Sequence, residues 1–228
     1  MRIRKKKHLE ERLAAVADVL FISDLADRDF RTAVLTPEYL DLDAWFGRRA
    51  PLFLEIGCGK GGFAAEFARR NPDINLLAVE KNANVLVEAC ETAKREGLSN
   101  LRFLKCGAEY LPKYLPPQSV DRLFLNFSCP FPKARYASHR LTHPQFLTIY
   151  KTLCAPGAEI HQKTDNPSFF EFSLESFSHE GFRLKNISLD LHHSGFEGNI
   201  ETEYERKFTA MGLPIYRLEA YLEESAHD

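Results

Sequence analysis

The sequence predicts an α/β protein built on a mostly parallel sheet with helices on both faces. Three observations predict this fold class. Short apolar runs alternate with helical stretches from residue 52 onward, a glycine-rich turn at 57–62 joins the first run to a helix, and no internal repeat interrupts the pattern. Such alternation is typical of βαβ units, which place helices on both sides of a parallel sheet.

The apolar runs predict seven strands, at 52–56, 74–80, 101–106, 120–127, 158–165, 183–191 and 215–222. Helical patterns lie between them at 63–70, 84–97, 144–154 and 168–179, with Asn84 and Gly97 as the expected caps of the second helix. Ligands of such sheets bind beyond the carboxyl ends of the strands, so the residues that follow each run are the candidates for function.

The composition fits a globular protein and excludes several other classes. The 228 residues are 44% hydrophobic and 27% charged, with a net charge of −2. No apolar run approaches the roughly 20 residues of a membrane span. The five cysteines are scattered without a C-x-x-C pair, which favours reduced thiols over disulfides or a zinc site. We therefore expect a cytoplasmic protein with no membrane or metal partner.

Residues 1–48 are expected to form a basic, partly helical N-terminal extension, ahead of a catalytic domain over 49–228. Residues 1–12 carry a net charge of +4, which leaves −6 for the remainder. Leu9, Leu13, Val16, Val19 and Leu20 follow at helix-like spacing. Two interpretations remain open: an arm that contacts phosphate, or a solvated tail that keeps the protein soluble.

The turn at 57–62 and the acid after the second strand predict a nucleoside site. Glycines let the backbone turn sharply and approach a ligand closely, although a purely structural turn is the alternative. Glu80 ends the second run, 19 residues after Gly61, where a carboxylate accepts hydrogen bonds from ribose hydroxyls. Glu55 directly precedes the loop and would repel a pyrophosphate. It therefore favours the cationic S-adenosyl-L-methionine over a dinucleotide.

Further polar motifs follow later strands, and together they carry a family resemblance. The motifs are 54-LEIGCGKG-61, 126-NFSCPFPK-133, 139-HRLT-142, 163-KTDN-166, 190-DLH-192, 202-TEYERKF-208 and 215-IYR-217. In order and spacing they resemble the bacterial tRNA (guanine-N7-)-methyltransferases. This resemblance implies a class I S-adenosylmethionine-dependent methyltransferase fold, with a seven-stranded, Rossmann-like sheet and an antiparallel last strand. It also implies methylation of guanosine N7 at position 46, in the variable loop of a tRNA partner, and leaves a monomer or a homodimer open.

The resemblance also implies site residues. Cofactor-binding positions would be Glu55, Gly57, Gly59, Gly61, Glu80, Gly107, Ala108, Asn126 and Cys129. Substrate-binding positions would be Lys133, Asp165, Thr202, Glu203, Tyr204 and Glu205, and Asp165 and Cys129 would occupy the catalytic positions. The sequence departs from the family pattern at three places: Cys129 replaces an Asp, Phe131 a Trp, and Gly107 an Asn or Asp. These departures leave the catalytic role of position 129 open.

The chemistry of the reaction limits what these residues must do. Guanine N7 has a lone pair and no proton, so no general base is required, and alignment is the main task. N7 must stay uncovered, so an acid should grip the Watson–Crick edge, with Asp165 or Glu205 as the candidate. Asp165 has an alternative role as the cap of the next helix. Tyr204 and Phe131 either stack on the base or pack in the core.

Two other functions remain open at this stage. The first is a methyltransferase that acts on an exocyclic amine, since N-F-S-C-P-F resembles the loop of such enzymes. The second is a tRNA-binding module that has lost catalysis, because positions 107 and 129 lack the usual side chains.

Overall fold

A computed structural model describes residues 6–23 and 30–223, and its internal contacts divide the chain into two compact units, 1–114 and 115–228. These described residues contain eight strands, and none of their helices is both long and apolar enough to cross a bilayer. The α/β class predicted from the sequence is confirmed.

The first unit alternates helices with four strands. Its helices are α1 (Leu9–Ala14), α2 (Phe30–Ala33), α3 (Leu42–Phe46), α4 (Gly62–Arg70), α5 (Ala83–Arg95) and α6 (Leu111–Tyr114), and its strands are β1 (Leu20–Ile22), β2 (Leu52–Ile56), β3 (Asn75–Val79) and β4 (Leu101–Lys105). The strands pair in the order β1-β4-β3-β2, and every pairing is parallel. Strands β2 and β3 are buried along their whole length, as expected of parallel strands covered on both faces.

The structure corrects two local predictions in this unit. Leu20, which fits the helical pattern of the N-terminal segment, lies instead in β1, opposite Phe103 of β4. Pairing with a sheet edge buries Leu20 and overrides the local helical spacing. The cap of α5 is Asn82, whose side chain accepts a hydrogen bond from the backbone of Asn84 (3.0 Å). Gly97 ends that helix in the left-handed conformation, as expected.

Part of the basic N-terminal segment lies on helix α5. The backbone N–H of Lys6 donates to the Asn84 side chain (2.8 Å), and the Lys6 ammonium pairs with Glu88. Arg12 makes a two-pronged contact with Glu91, at 2.7 and 2.6 Å. These two cations are therefore engaged in ion pairs within the unit. The other basic residues of the predicted arm up to residue 5 lie outside the described residues.

The second unit holds the remaining elements. They are β5 (Val120–Asn126), α7 (Pro144–Leu153), β6 (Cys154–Thr164), α8 (Pro167–His179), β7 (Arg183–Ser188), α9 (Glu203–Thr209) and β8 (Tyr216–Tyr221), with a 3₁₀ turn at Ala134–His139. The strand order is β5-β6-β8-β7; β5 and β6 are parallel, and β8 runs antiparallel to both neighbours. The predicted antiparallel last strand is confirmed. Helix α9 falls in a segment that the sequence marked only as polar.

Candidate active site

The glycine loop between β2 and α4 is held by backbone hydrogen bonds. The N–H groups of Gly57 and Cys58 both donate to the Val79 carbonyl, at 2.8 and 3.1 Å. Gly57, Gly59 and Gly61 have φ values of 83°, 56° and 76°, in the left-handed region that favours glycine. A side chain at Gly57 or Gly59 would meet no atom within 4 Å, whereas a Cβ at Gly61 would lie 2.6 Å from the Ala89 Cβ. Gly61 thus allows close helix packing, and the other two face open space.

Two acidic side chains flank this loop. Glu80 is half-buried at the end of β3, and its carboxylate accepts hydrogen bonds from the backbone of Gly59 (3.2 Å) and Asn82 (2.8 Å). These contacts fix its orientation beside the open space at Gly57 and Gly59. Glu55, in β2, is only 2% exposed. The two predicted cofactor acids and three of the predicted glycines therefore lie in one region of the first unit.

The electrostatics of the loop favour a cation. The pKa of the Cys58 thiol is raised well above its usual value, first by burial and then by the nearby carboxylates of Glu55 and Glu80. The same negative field that opposes a thiolate here would stabilise a positively charged ligand. An open, negatively charged loop with glycine backbone fits the sulfonium and ammonium of S-adenosyl-L-methionine better than a pyrophosphate.

The departure at position 107 has a structural counterpart. Gly107 has an ordinary φ of −78° and precedes the buried Ala108. A Cβ at Gly107 would lie 2.5 Å from the Glu109 carboxylate. Glu109 therefore fills the space that a side chain at position 107 would take, and it brings an acidic group there from two residues further along. Glu109 was not among the predicted site residues, although it lies in the short turn that follows β4.

In the second unit, the four residues of the K-T-D-N motif have different structural roles. The Lys163 ammonium is buried in an ion pair with Glu205 (2.7 Å). The Thr164 hydroxyl accepts a hydrogen bond from the backbone of Asn166 (3.1 Å), and the Asn166 side chain caps α8. The helix-cap role considered for Asp165 thus belongs to Asn166. Within the described parts of the chain, the half-exposed Asp165 carboxylate has no hydrogen-bond or ion-pair partner.

Asp165 acts electrostatically on an aromatic group on α9. The pKa of Tyr204 is raised, first by partial burial and then by the charges of Asp165 and Cys129. Tyr204 is 48% exposed, and its ring packs beside Phe127, with centroids 5.1 Å apart, and Phe208, at 4.6 Å. Tyr204 is therefore neither a core residue nor an isolated surface one.

The remaining residues of 202-TEYE-205 differ in exposure. Thr202 caps α9, and its hydroxyl accepts from the Glu205 backbone (2.9 Å), while the Glu205 carboxylate completes a capping box. Glu203 is exposed, whereas Glu205 is fully buried. Of the two acids considered for the guanine edge, only Asp165 is accessible in this structure.

The loop after β5 is tied down by an arginine from the H-R-L-T motif. Arg140 donates to the carbonyls of Pro130 (3.0 Å) and Phe131 (3.1 Å), and its guanidinium lies over the Phe172 ring. Phe131 packs against His139, with ring centroids 5.5 Å apart. These contacts hold the loop in a fixed shape. The H-R-L-T motif was visible in the sequence, but this role of Arg140 depends on contacts that only the folded chain makes.

The same loop presents three predicted residues in different settings. Cys129 and Lys133 are exposed, whereas Asn126 is half-buried at the end of β5, in register with Lys163 of β6. The exposed ammonium of Lys133 is available to a phosphate or a carbonyl. Cys129 is exposed and close to Tyr204, at the position where the family pattern has an acid.

A separate titratable cluster lies on β6 and β8. Ligand-type atoms of Glu159, His161 and Glu219 lie within 4.8 Å of one another, but Lys185 and Arg217 form ion pairs with its two carboxylates. Burial raises the pKa of Glu159, yet hydrogen bonds from Lys185 and His161 outweigh it and lower the pKa to about 2. Burial lowers the pKa of His161. The cluster is a network of compensated charges.

Comparisons with known proteins identify the family of this chain. A family described as "Putative methyltransferase" matches residues 49–218. The "tRNA (guanine-N(7)-)-methyltransferase" of Macrococcus caseolyticus is 43% identical over 96% of this chain and 99% of its own length. The protein with the same description in Bacillus subtilis is 42% identical over 96% and 98%. In Halalkalibacterium halodurans it is 49% identical over 77% and 80%.

Solved structures show the fold. The 16S rRNA methyltransferase KamB superimposes with a TM-score of 0.57 at 17% identity, over 89% of this chain and 96% of that one. The antibiotic-resistance methyltransferase Kmr gives a TM-score of 0.56 at 19% identity, over 82% and 93%. The fold is therefore that of the class I methyltransferases, and the chain belongs to the tRNA (guanine-N7-)-methyltransferase family.

Proposed function

We propose that this protein transfers the methyl group of S-adenosyl-L-methionine to N7 of guanosine 46 in the variable loop of tRNA. The names of the relatives support the reaction and the substrate class. The observation that carries the proposal is the accessible carboxylate of Asp165, whose charge acts on the exposed Tyr204, in a family whose glycine-loop motif is retained here.

In this proposal the first unit holds the cofactor. Gly57 and Gly59 let the cofactor approach the backbone closely. The Glu80 carboxylate accepts hydrogen bonds from the ribose hydroxyls of the cofactor, and Glu55 contributes negative charge. Gly107 and Ala108 lie after β4, where the base of the cofactor is expected, with Glu109 beside them. When bound, S-adenosyl-L-methionine supplies a methyl group that is already activated by the positive sulfur.

The second unit binds the acceptor base. Asp165 accepts hydrogen bonds from the N1–H and N2–H₂ donors of guanine, which leaves N7 uncovered as the nucleophile. Its negative charge also stabilises the base as it becomes cationic. Tyr204 offers a partly exposed ring on which an unstacked base can pack. The exposed Lys133 binds O6 or a neighbouring phosphate.

Cys129 needs no covalent role in this scheme, because methyl transfer to a lone pair requires neither a nucleophilic side chain nor a base. We give the name acceptor region to the second-unit segments 126–133, 163–166 and 199–205. We propose that the exposed thiol lines this region and that Asp165 provides the charge there.

The test is incubation of the protein with an unmodified tRNA transcript and methyl-labelled S-adenosyl-L-methionine, followed by chain cleavage at N7-methylguanosine. We expect one cleavage site, at guanosine 46, and no label in a matched transcript with adenosine at that position. Label at an exocyclic amine, or at another guanosine, would overturn the proposed site. Calorimetric titration with the cofactor completes the test, since a folded protein that takes up no cofactor cannot be a methyltransferase.

A further inference from the structure

A buried ion pair of the acceptor region joins strand β6 to helix α9. Lys163 is 6% exposed and Glu205 is fully buried. The Lys163 ammonium donates to the Glu205 carboxylate (2.7 Å), the Asn199 side chain (3.0 Å) and the Ile200 carbonyl (2.9 Å). An ammonium has three N–H donors, so these three acceptors use all of them.

The Glu205 carboxylate is equally occupied. One oxygen accepts from the Asn199 amide (2.7 Å) and lies 3.2 Å from the His192 ring nitrogen. The other accepts from Lys163 and from the Thr202 backbone (3.4 Å). A carboxylate that is buried and has partners on both oxygens has no face left for a nucleobase.

The residues next to this pair are the accessible ones. Asp165 follows Lys163 by two positions, and Tyr204 directly precedes Glu205. Both side chains reach solvent, and the charge of Asp165 contributes to raising the pKa of the Tyr204 hydroxyl. The pair therefore fixes the two chain segments from which the accessible acid and ring project.

We propose that Lys163 and Glu205 are positioning residues, and that their buried ion pair sets the place of Tyr204 relative to Asp165 without contacting the guanine. This inference rests on the proposed function, and it assigns the acid of 202-TEYE-205 to the support of the site. Of the two acids Asp165 and Glu205, only Asp165 then binds the base.

A charge-removal cycle separates this role from direct contact. Removing one partner leaves an uncompensated charge in a buried place, whereas removing both charges leaves none. If the pair only positions, the double variant recovers part of what each single variant loses. If Glu205 itself binds guanine, removing the charge of Lys163 as well does not restore activity.

The variants are Glu205→Gln, Lys163→Met and the two combined, assayed on the tRNA transcript with saturating cofactor. We expect each single change to lower kcat by about 10²-fold, the usual effect of a small misplacement, with cofactor Kd unchanged. The kcat of the double variant should be at least about tenfold higher than the kcat of the less active single variant. No recovery in the double variant would overturn the proposal, as would single variants that lose only thermal stability and keep kcat.

A milder variant covers the case in which a single change prevents folding. Asn199→Ala removes one partner from each member of the pair without leaving a buried charge unpaired. It should lower kcat severalfold and increase amide hydrogen exchange in 203–209, with cofactor Kd unchanged. Wild-type kcat with unchanged exchange would contradict the proposal. The exchange measurement does not depend on catalysis. A wild-type protein that fails to methylate N7 would therefore overturn the proposed function and leave this test readable.

Discussion

The glycine-loop region of the first unit and the acceptor region of the second unit build their sites by different means. In the first, backbone torsions at Gly57 and Gly59 and one anchored carboxylate, Glu80, shape the site. In the second, separate segments are tied together by side chains, with the buried pair of Lys163 and Glu205 at the centre. A loop shaped by its own torsions depends on local residues, whereas a side-chain network depends on partners far away in sequence.

The difference explains why two similar acids have different roles. Asp165 and Glu205 are both polar residues in short motifs of the acceptor region. The Asp165 carboxylate is accessible, whereas the Glu205 carboxylate is buried in an ion pair with Lys163. In the glycine-loop region no such choice arises, because the Glu80 carboxylate is oriented by backbone N–H groups, one from Asn82, two residues away, and one from Gly59, 21 residues away. We therefore expect the two regions to respond separately to mutation.

The largest expected effect is on turnover, from Asp165→Ala. Loss of the acid that grips guanine should lower kcat/KM for tRNA by about 10²- to 10³-fold, as for other charge-stabilising groups. Cofactor Kd, measured by calorimetry, should not change. The exposed Glu197→Ala serves as a control and should behave like wild type. An equal loss of cofactor affinity in Asp165→Ala would break the division between the regions.

The converse variant, Glu80→Ala, should weaken the cofactor. Loss of hydrogen bonds to a charged group should raise cofactor Kd by about 10- to 100-fold, while turnover at saturating cofactor falls much less. Glu80→Gln keeps the size and one acceptor oxygen, and its loss should be smaller. If Glu80→Ala impaired tRNA binding and left cofactor Kd intact, the assignment of this region to the cofactor would be wrong.

A third prediction compares two glycines of one loop by urea unfolding. Gly61→Ala forces a Cβ against Ala89 and should lower the free energy of unfolding by about 2–4 kcal/mol. Gly59→Ala has space for the Cβ and should cost only about 1–2 kcal/mol from its torsion. The order should reverse for cofactor affinity, where Gly59→Ala is expected to lose more. Equal effects on stability would show that packing on Ala89 does not distinguish them.

The smallest effect concerns acid stability of the second unit. The folded pKa of Glu159, about 2, lies below its ordinary value of 4.5, so the unfolded chain takes up the proton first as pH falls. Its contribution is present above pH 4.5 and is lost as the pH falls toward 2. The pKa of His161 in the folded protein is also lowered, from its ordinary value of 6.5. Below that pH the unfolded chain binds the proton more readily, so His161 also reduces the stability of the fold as the pH falls. The cations that also face this cluster are Lys185, Arg122 and Arg217.

The measurement is the free energy of unfolding in urea across this pH range for wild type and Glu159→Gln. The difference between the two should shrink as the pH falls from 4.5 toward 2 and should level off below pH 2, where the Glu159 carboxyl is neutral in both the folded and the unfolded chain. The exposed Glu96→Gln of the first unit is the matched control and should show a small difference throughout. A constant difference for Glu159→Gln would mean that its charge does not contribute.

Much of the fold was predictable because its signals are local. Strand β2, the glycine turn and helix α8 follow from apolar spacing, torsional freedom and an Asn-Pro start. The sequence did not reveal β1, since three residues added to a sheet edge have no periodicity of their own. Helix α9 was missed for a related reason: its capping box depends on a buried Glu205, which resembles a surface acid in sequence.

The sequence by itself determined the fold class, the family and the set of residues from which the site is drawn, because motifs and spacing are properties of the chain. Only the tertiary structure decided how those residues divide the work. It assigned the helix cap to Asn166, left Asp165 accessible and enclosed Glu205 with Lys163. The physical reason is desolvation: whether a carboxylate binds a ligand or a lysine depends on what surrounds it, and those neighbours come from distant parts of the chain.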